Sequence, residues 1–241
     1  MVINVHAGHN PDGKAACGAA GFIRESTEAR NVKNEVVRQL RELGHTVYDC
    51  TCENGTSSAN VLTQIVQKCN ANKADLDVAI HFNAGARDVQ GNGKTTGVEA
   101  YIYSMGSKAK TAAEKVCKAI EKLGYKNRGV KTNSKLYVLN KTKAPAMLIE
   151  CCFVDDKDDV QLYDCKRMAD AIVYGITGQT YVDKPDTSHD KDAEDTGAET
   201  ATGDAKAIYR VQVGAYGVKS NADAMVAKLK AAGFTAVVVR A

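Results

Sequence analysis

Tryptophan is missing from these 241 residues, and aromatic side chains make up only 6% of them. That scarcity argues against a carbohydrate-binding surface built on stacked rings. No run of about 18 apolar residues occurs, so no helical membrane span is expected. The chain does not open on a basic segment followed by an apolar one. It enters a strand-like run at once, Val2-Ile3-Asn4-Val5. The expectation is a protein made in the cytoplasm without a signal peptide. The eight cysteines, Cys17, Cys50, Cys52, Cys69, Cys117, Cys151, Cys152 and Cys165, include no CxxC pair. They read as free thiols acting as small apolar residues, not as a zinc or redox motif. A GxSxG nucleophile motif is also lacking.

What is present is ordinary in bulk. Hydrophobic residues make up 44% and charged residues 25%, with a net charge of +3. The length allows one good-sized domain plus something small. The charge is uneven. Residues 179–206 hold eight acids against three lysines, whereas 207–241 hold five bases against one acid. The remainder is mildly basic, as an ordinary solvated surface or a polyanionic partner would both allow.

Along residues 1–178 strand-like and helix-like segments alternate. Strands are expected at Val2–Val5, His45–Tyr48, Leu76–Ile80, Val98–Tyr103 and Ala146–Ile149. Helices are expected from Ser26 or Thr27 to Leu43, from Ser58 or Asn60 to Cys69, from Ser107 to Leu123 and from Asp155 to Ile176. The segment from Val130 to Leu139 reads as extended or irregular. The first helix carries Val32, Val36, Val37, Leu40 and Leu43 as one apolar stripe. This alternation implies an α/β fold, a mostly parallel sheet with helices on both faces. In such sheets sites form at the carboxyl ends of strands. His9, His81 and Glu150 all fall at such ends, and Glu25 and Glu28 stand at the start of the first helix.

Residues 179–206 lose nearly all large apolar side chains and read as an acidic, flexible linker. Residues 207–241 regain a βαβ pattern: a strand at 209–213, a helix over 221–232 and a strand at 236–239. Such a unit is too small to hold a stable core alone.

Two histidines, a glutamate and a second carboxylate are the parts of a zinc hydrolase. Three side chains hold the ion and leave a position for water, and the separate carboxylate moves protons. His9, His81, Glu150 and one of Glu25 and Glu28 fill these roles. Each has a plainer reading. His9 could be a loop histidine, and either glutamate could simply favour the positive end of a helix. His81 follows an apolar strand, where an unpaired ring is unfavourable. Glu150 ends another, where burial would raise its pKa. His6 reads as a packed neighbour. His45 and His189 read as structural or solvated.

Taken together, Gly8-His9, Glu25, Ile80-His81-Phe82-Asn83, Asn127-Arg128-Gly129-Val130-Lys131, Leu136-Tyr137-Val138-Leu139 and Leu148-Ile149-Glu150 resemble the zinc-dependent N-acetylmuramoyl-L-alanine amidases of the Amidase_3 type. The resemblance covers residues 1–178. It implies an endolysin- or autolysin-like enzyme that cleaves the amide between N-acetylmuramic acid and L-alanine of the stem peptide. It also implies one Zn2+ per chain held by His9, Glu25 and His81, with Glu150 catalytic. The resemblance also points to Glu25 rather than Glu28, because Val32, Val36 and Leu40 follow Glu25 at the spacing expected in relatives. His6 departs from the family, where many members carry Asp three residues before the first ligand. The tail, from Tyr209 to Tyr216 and from Leu229 to Phe234, resembles half of a SPOR peptidoglycan-binding module. A second copy would complete that half, so a homodimer through the tail is expected. The expected partner is peptidoglycan, with no nucleic acid and no membrane, reached after release from the cell. Two other readings are a wall-binding protein with a degenerate catalytic domain and a zinc peptidase on a similar fold.

Overall fold

The computed structural model describes residues 1–182 together with 225–226, 229–230 and 238. The chain divides into two compact units, Met1–Pro185 and Asp186–Ala241. In the first, the elements are β1 (Val2–Ala7), α1 (Glu25–Glu42), β2 (Thr46–Asp49), α2 (Ser58–Asn70), β3 (Leu76–Asn83), β4 (Val98–Ile102), α3 (Lys110–Glu121), β5 (Asn127–Thr132), α4 (Tyr137–Lys141), β6 (Ala146–Phe153), α5 (Lys157–Leu162) and α6 (Cys165–Thr177).

One six-stranded sheet runs β2-β1-β3-β6-β4-β5. Every neighbouring pair is parallel except β4 with β6. The exception has a cause in connectivity. Parallel strands need a long crossover, usually a helix, and residues 84–97 between β3 and β4 contain none.

Alternation along the strands sorts side chains onto two faces. Ile3, Val5, Val78, Ile80, Met147 and Ile149 face one layer. There they pack on Val32, Val36 and Leu40 of α1, Val116 and Ile120 of α3, and Met168 and Ile172 of α6. The opposite layer is smaller. Ala79, Ala146 and Leu148 pack there on Val61, Ile65 and Cys69 of α2 and on Val138 and Leu139 of α4. His81 and Glu150 lie one pleat further along this same face.

The expected α/β alternation is present, with local differences. Both β3 and β6 run past the positions expected for their ends, so His81 and Glu150 sit inside strands. The β3–β6 ladder continues to Asn83 and Phe153, with an irregularity after His81. The segment expected to be irregular contains β5 and the short α4. The long helix expected over 155–176 is two helices, because Tyr163 is extended and the Asp164 side chain accepts from Arg167 N to cap α6. Helix α1 starts at Glu25 behind Arg24, not behind Ser26 or Thr27. Helix α2 is capped by Ser57, whose hydroxyl accepts from Asn60 N. All eight thiols are free, and six of them are buried.

Packing continues past α6. The Tyr181 hydroxyl donates to Glu42 at 2.6 Å and accepts from Arg38 at 2.7 Å. In the second unit Met225, Val226, Leu229 and Lys230 are helical, within the helix expected over 221–232. Val238 is not in a strand. The strand expected at 209–213, the rest of that at 236–239 and residues 183–206 of the linker lie outside the described residues.

Candidate active site

The site begins where β1 gives out. Gly8 N still bonds Ile80 O at 2.9 Å, and His9 then turns through a left-handed conformation with φ of 62°. A non-glycine residue is uncommon there and needs outside support. Arg30 of α1 supplies it. Its guanidinium donates to the carbonyls of His9 (3.0 Å), Cys52 (2.8 Å), Ser26 (3.0 Å) and Gly8 (3.4 Å). Fully buried Asn10 adds bonds to Ala15 O and Gly55 O.

Two glycines clear space. A Cβ on Gly8 would lie 2.1 Å from the His81 ring. A Cβ on Gly18 would lie 2.5 Å from Glu25 Oε2 and 2.8 Å from the His9 ring. The imidazoles and the carboxylate can meet only because these positions lack side chains.

His9 Nε2 and His81 Nδ1 approach the same oxygen, Glu25 Oε1, at 3.1 and 3.0 Å. Ligand atoms of all three residues lie within 4.8 Å of one another. The other oxygen, Glu25 Oε2, accepts from Ala19 N at 2.8 Å. Burial opposes the charged form of Glu25, but hydrogen bonds from His81 and His9 outweigh it and hold the carboxyl well below the usual range. Two imidazole nitrogens and one carboxylate oxygen, partly buried and converging, are the donor set that suits zinc.

Glu150 stands opposite His81 in the β3–β6 register. Its Oε2 is buried with no hydrogen-bond partner among the described residues. Burial first, then the charges of Glu25 and Glu99, push its pKa up to about 8. Such a carboxyl can take or give a proton near neutral pH.

Among the described residues, the other candidates do not join this cluster. Glu28 accepts from the Tyr163 hydroxyl at 2.9 Å and from Asn31 at 3.1 Å. His6 is buried, its Nδ1 lacks a partner among the described residues, and burial lowers its pKa to about 3. His45 Nδ1 lies 3.2 Å from the terminal amine of Met1. His189 lies outside the described residues.

Sequence reasoning gave no role to Glu99, Arg128 or Lys131. Glu99 pairs with Glu150 across β4 and β6 and is 2% exposed. Its Oε2 receives Arg128 Nε and Lys131 Nζ, both at 2.5 Å. Its Oε1 receives the Tyr101 hydroxyl at 2.7 Å and Asn83 Nδ2 at 3.0 Å. Burial disfavours its charge, yet Lys131, Arg128 and Tyr101 prevail and bring its pKa to about 2. The available signal was a carboxylate inside the apolar strand Val98-Glu99-Ala100-Tyr101-Ile102.

A second acidic group, Asp88, Asp156 and Asp158, also lies within 4.8 Å. Its carboxylates chiefly hold the 84–97 loop. Asp158 Oδ2 accepts from Asn92 N, Gly93 N and Lys94 N, and Asp156 Oδ2 accepts from Thr96.

Residues 3–178 match the N-acetylmuramoyl-L-alanine amidase family, and residues 205–241 match the SPOR domain. An uncharacterised protein of Clostridium perfringens is 39% identical over 167 residues, 68% of this chain and 47% of that protein. The N-acetylmuramoyl-L-alanine amidase CwlM of Bacillus licheniformis is 31% identical over 74% of this chain and 62% of its own length. The chain therefore spans about half to three-fifths of these relatives. The solved catalytic domain of the CD27L endolysin, which targets Clostridia Difficile, superposes with a TM-score of 0.66 at 28% identity. That likeness covers 76% of this chain and 99% of that domain.

Proposed function

The chain belongs to the N-acetylmuramoyl-L-alanine amidase family, and on that premise we propose that it hydrolyses the amide joining N-acetylmuramic acid to L-alanine of the peptidoglycan stem. The observation that carries this is the convergence of His9, Glu25 and His81 within 4.8 Å, with Glu150 opposite His81. His9, Glu25 and His81 would hold one zinc ion. When bound, zinc supplies Lewis acidity that polarises a carbonyl and lowers the pKa of water.

The chain's own residues do the rest. Glu150 takes the proton lost by the attacking water and delivers it to the departing L-alanine nitrogen. The lactyl carbonyl gains the hydroxyl, the C–N bond breaks and an amine leaves. Glu99 keeps a second negative charge beside Glu150, which favours the protonated form needed for that delivery. Arg30 fixes the turn that presents His9.

We assign the catalytic unit to residues 1–178, an acidic linker to 179–206 and a peptidoglycan-binding unit to 207–241. The SPOR match supports the last. Among the described residues no helix is long and apolar enough to cross a membrane, and the proposed site of action is the bacterial cell wall after release. A dimer through the tail would give twice the chain mass in light scattering of 1–241 but not of 1–178. A monomeric mass for 1–241 would exclude it.

Mass spectrometry of purified peptidoglycan after digestion tests the activity. Stem peptides beginning with L-alanine are expected, and reducing sugar ends would point to a glycosidase instead.

A further inference from the structure

Arg30 and Arg128 use their guanidinium groups in opposite ways. Arg30 spends its donors on protein carbonyls and on Glu53. Arg128 bonds only through Nε, to Glu99. Among the described residues, its Nη1 and Nη2 make no hydrogen bond. The guanidinium carbon lies 5.1 Å from the centroid of the Phe153 ring, so one face of the fork is fixed against β6. The side chain is 30% exposed. Two terminal nitrogens are thus left to the solvent, held in place by a buried carboxylate and an aromatic ring.

The cation is not needed merely to neutralise Glu99. Lys131 Nζ already reaches the same oxygen, and Tyr101 and Asn83 satisfy the other. Two cations against one buried anion leave one positive charge in surplus. Both cations are partly exposed, whereas the Glu99 side chain is 3% exposed.

The placement matters. His81, Glu150 and Glu99 lie in one row across β3, β6 and β4, and Arg128 comes from β5 at the end of that row. Two strand spacings, about 10 Å, separate the β6 and β5 backbones, and Arg128 leans back over Phe153 of β6. One stem residue spans about 3.5 Å. A group on the residue after L-alanine would therefore lie roughly 7 Å from the scissile bond, within reach of the fork.

We propose that Arg128, with Lys131 beside it, forms a carboxylate-binding subsite that selects substrates whose stem residue after L-alanine carries a free carboxylate. This rests on the amidase reading above and adds a specificity to it. A guanidinium with two parallel N–H donors matches a carboxylate bidentately and discriminates against a carboxamide.

The test uses the full chain and two purified peptidoglycans, one with that carboxylate free and one with it as the amide. Release of L-alanine amino termini is followed as a function of polymer concentration. Wild type is expected to show a KM about tenfold lower on the free acid, as one charge-assisted hydrogen-bond pair implies. Arg128→Gln should remove the preference, bringing KM on the free acid to the value for the amide. Arg128→Lys, which keeps the charge and loses the fork, should retain part of the preference and serves if the glutamine variant folds poorly. Equal KM values for wild type on both polymers would overturn the subsite, as would an equal loss on both in Arg128→Gln. Release of reducing sugar ends, or of no L-alanine termini from either polymer, would overturn the amidase reading and the subsite with it.

Discussion

His81 and Glu150 occupy facing positions on the parallel strands β3 and β6, one ring turned toward Glu25 at 3.0 Å and one carboxyl with a buried oxygen that has no hydrogen-bond partner among the described residues. The register thus sets a proposed metal ligand beside a proposed proton carrier without any loop intervening. Sites built on strands hold their geometry more tightly than sites on loops.

Glu25 and Glu28 are one helical turn apart, and only Glu25 reaches the histidines. Glu25→Gln removes the charge and should lower zinc content well below one per chain. Glu28→Gln keeps an acceptor for Tyr163 and should retain zinc and turnover near wild type. Metal analysis of both purified variants checks this. Zinc loss in Glu28→Gln with retention in Glu25→Gln would reverse the assignment.

Gly8→Ala places a methyl group 2.1 Å from the present His81 ring position. The ring must move, and overpacking of this kind costs about 1–3 kcal/mol. Zinc affinity should fall by more than stability does. Dialysis against a graded chelator, alongside thermal unfolding, separates the two effects; unchanged affinity would contradict the close approach.

Arg30→Met leaves the carbonyls of His9, Cys52 and Ser26 without their charged donor. Hydrogen bonds to charged groups contribute roughly 1.5–3 kcal/mol each where buried. Because solvent reaches part of this cluster, a net loss of about 2.5 kcal/mol is expected, which for a domain of this size lowers the melting temperature by roughly 5–10 °C. A change under 1 °C would show that the turn carrying His9 holds itself.

Stability should decline toward acid pH in a way His6 explains in part. Burial lowers its folded pKa to about 3 from 6.5. Between those values the unfolded chain binds a proton that the folded one refuses. The stability is therefore whole above pH 6.5 and is lost as pH falls toward 3, by at most about 1.4 kcal/mol per pH unit. Glu99, lowered to about 2 from 4.5, adds a loss with the same sign below pH 4.5. Denaturant titrations at several pH values should show a shallower slope between pH 6.5 and 4.5 in His6→Gln. An unaltered slope would contradict this.

Much of the site was legible in the sequence because a polar residue closing an apolar run is energetically conspicuous. His81 after Leu76–Ile80 and Glu150 after Ala146–Ile149 stand out for that reason. The helical stripe of α1 likewise placed Glu25 and Glu28 at its start. The role of Glu99 was hidden because its meaning depends on strand register, and register comes from long-range pairing. Arg128 and Lys131 were quoted within a family motif but could not be joined to Glu99 without knowing that β4 lies beside β5. The reversal of β4 and β5 against the other strands was missed for a related reason. Alternating segments predict parallel crossovers, but the helix-free 84–97 connection reverses the chain into β4 and the connection through α4 turns it back into β6. The division of α5 from α6 turned on one extended residue, Tyr163, which local composition did not mark.

The central claim is a division of labour between residues that hold the metal and one that moves the proton. The most direct measurement is zinc content and release of L-alanine termini from peptidoglycan in Glu150→Gln, with His81→Ala beside it. The account predicts about one zinc per chain in Glu150→Gln with turnover reduced at least about a hundredfold, and loss of both zinc and turnover in His81→Ala. Wild-type turnover in Glu150→Gln, or full zinc retention in His81→Ala, would contradict it.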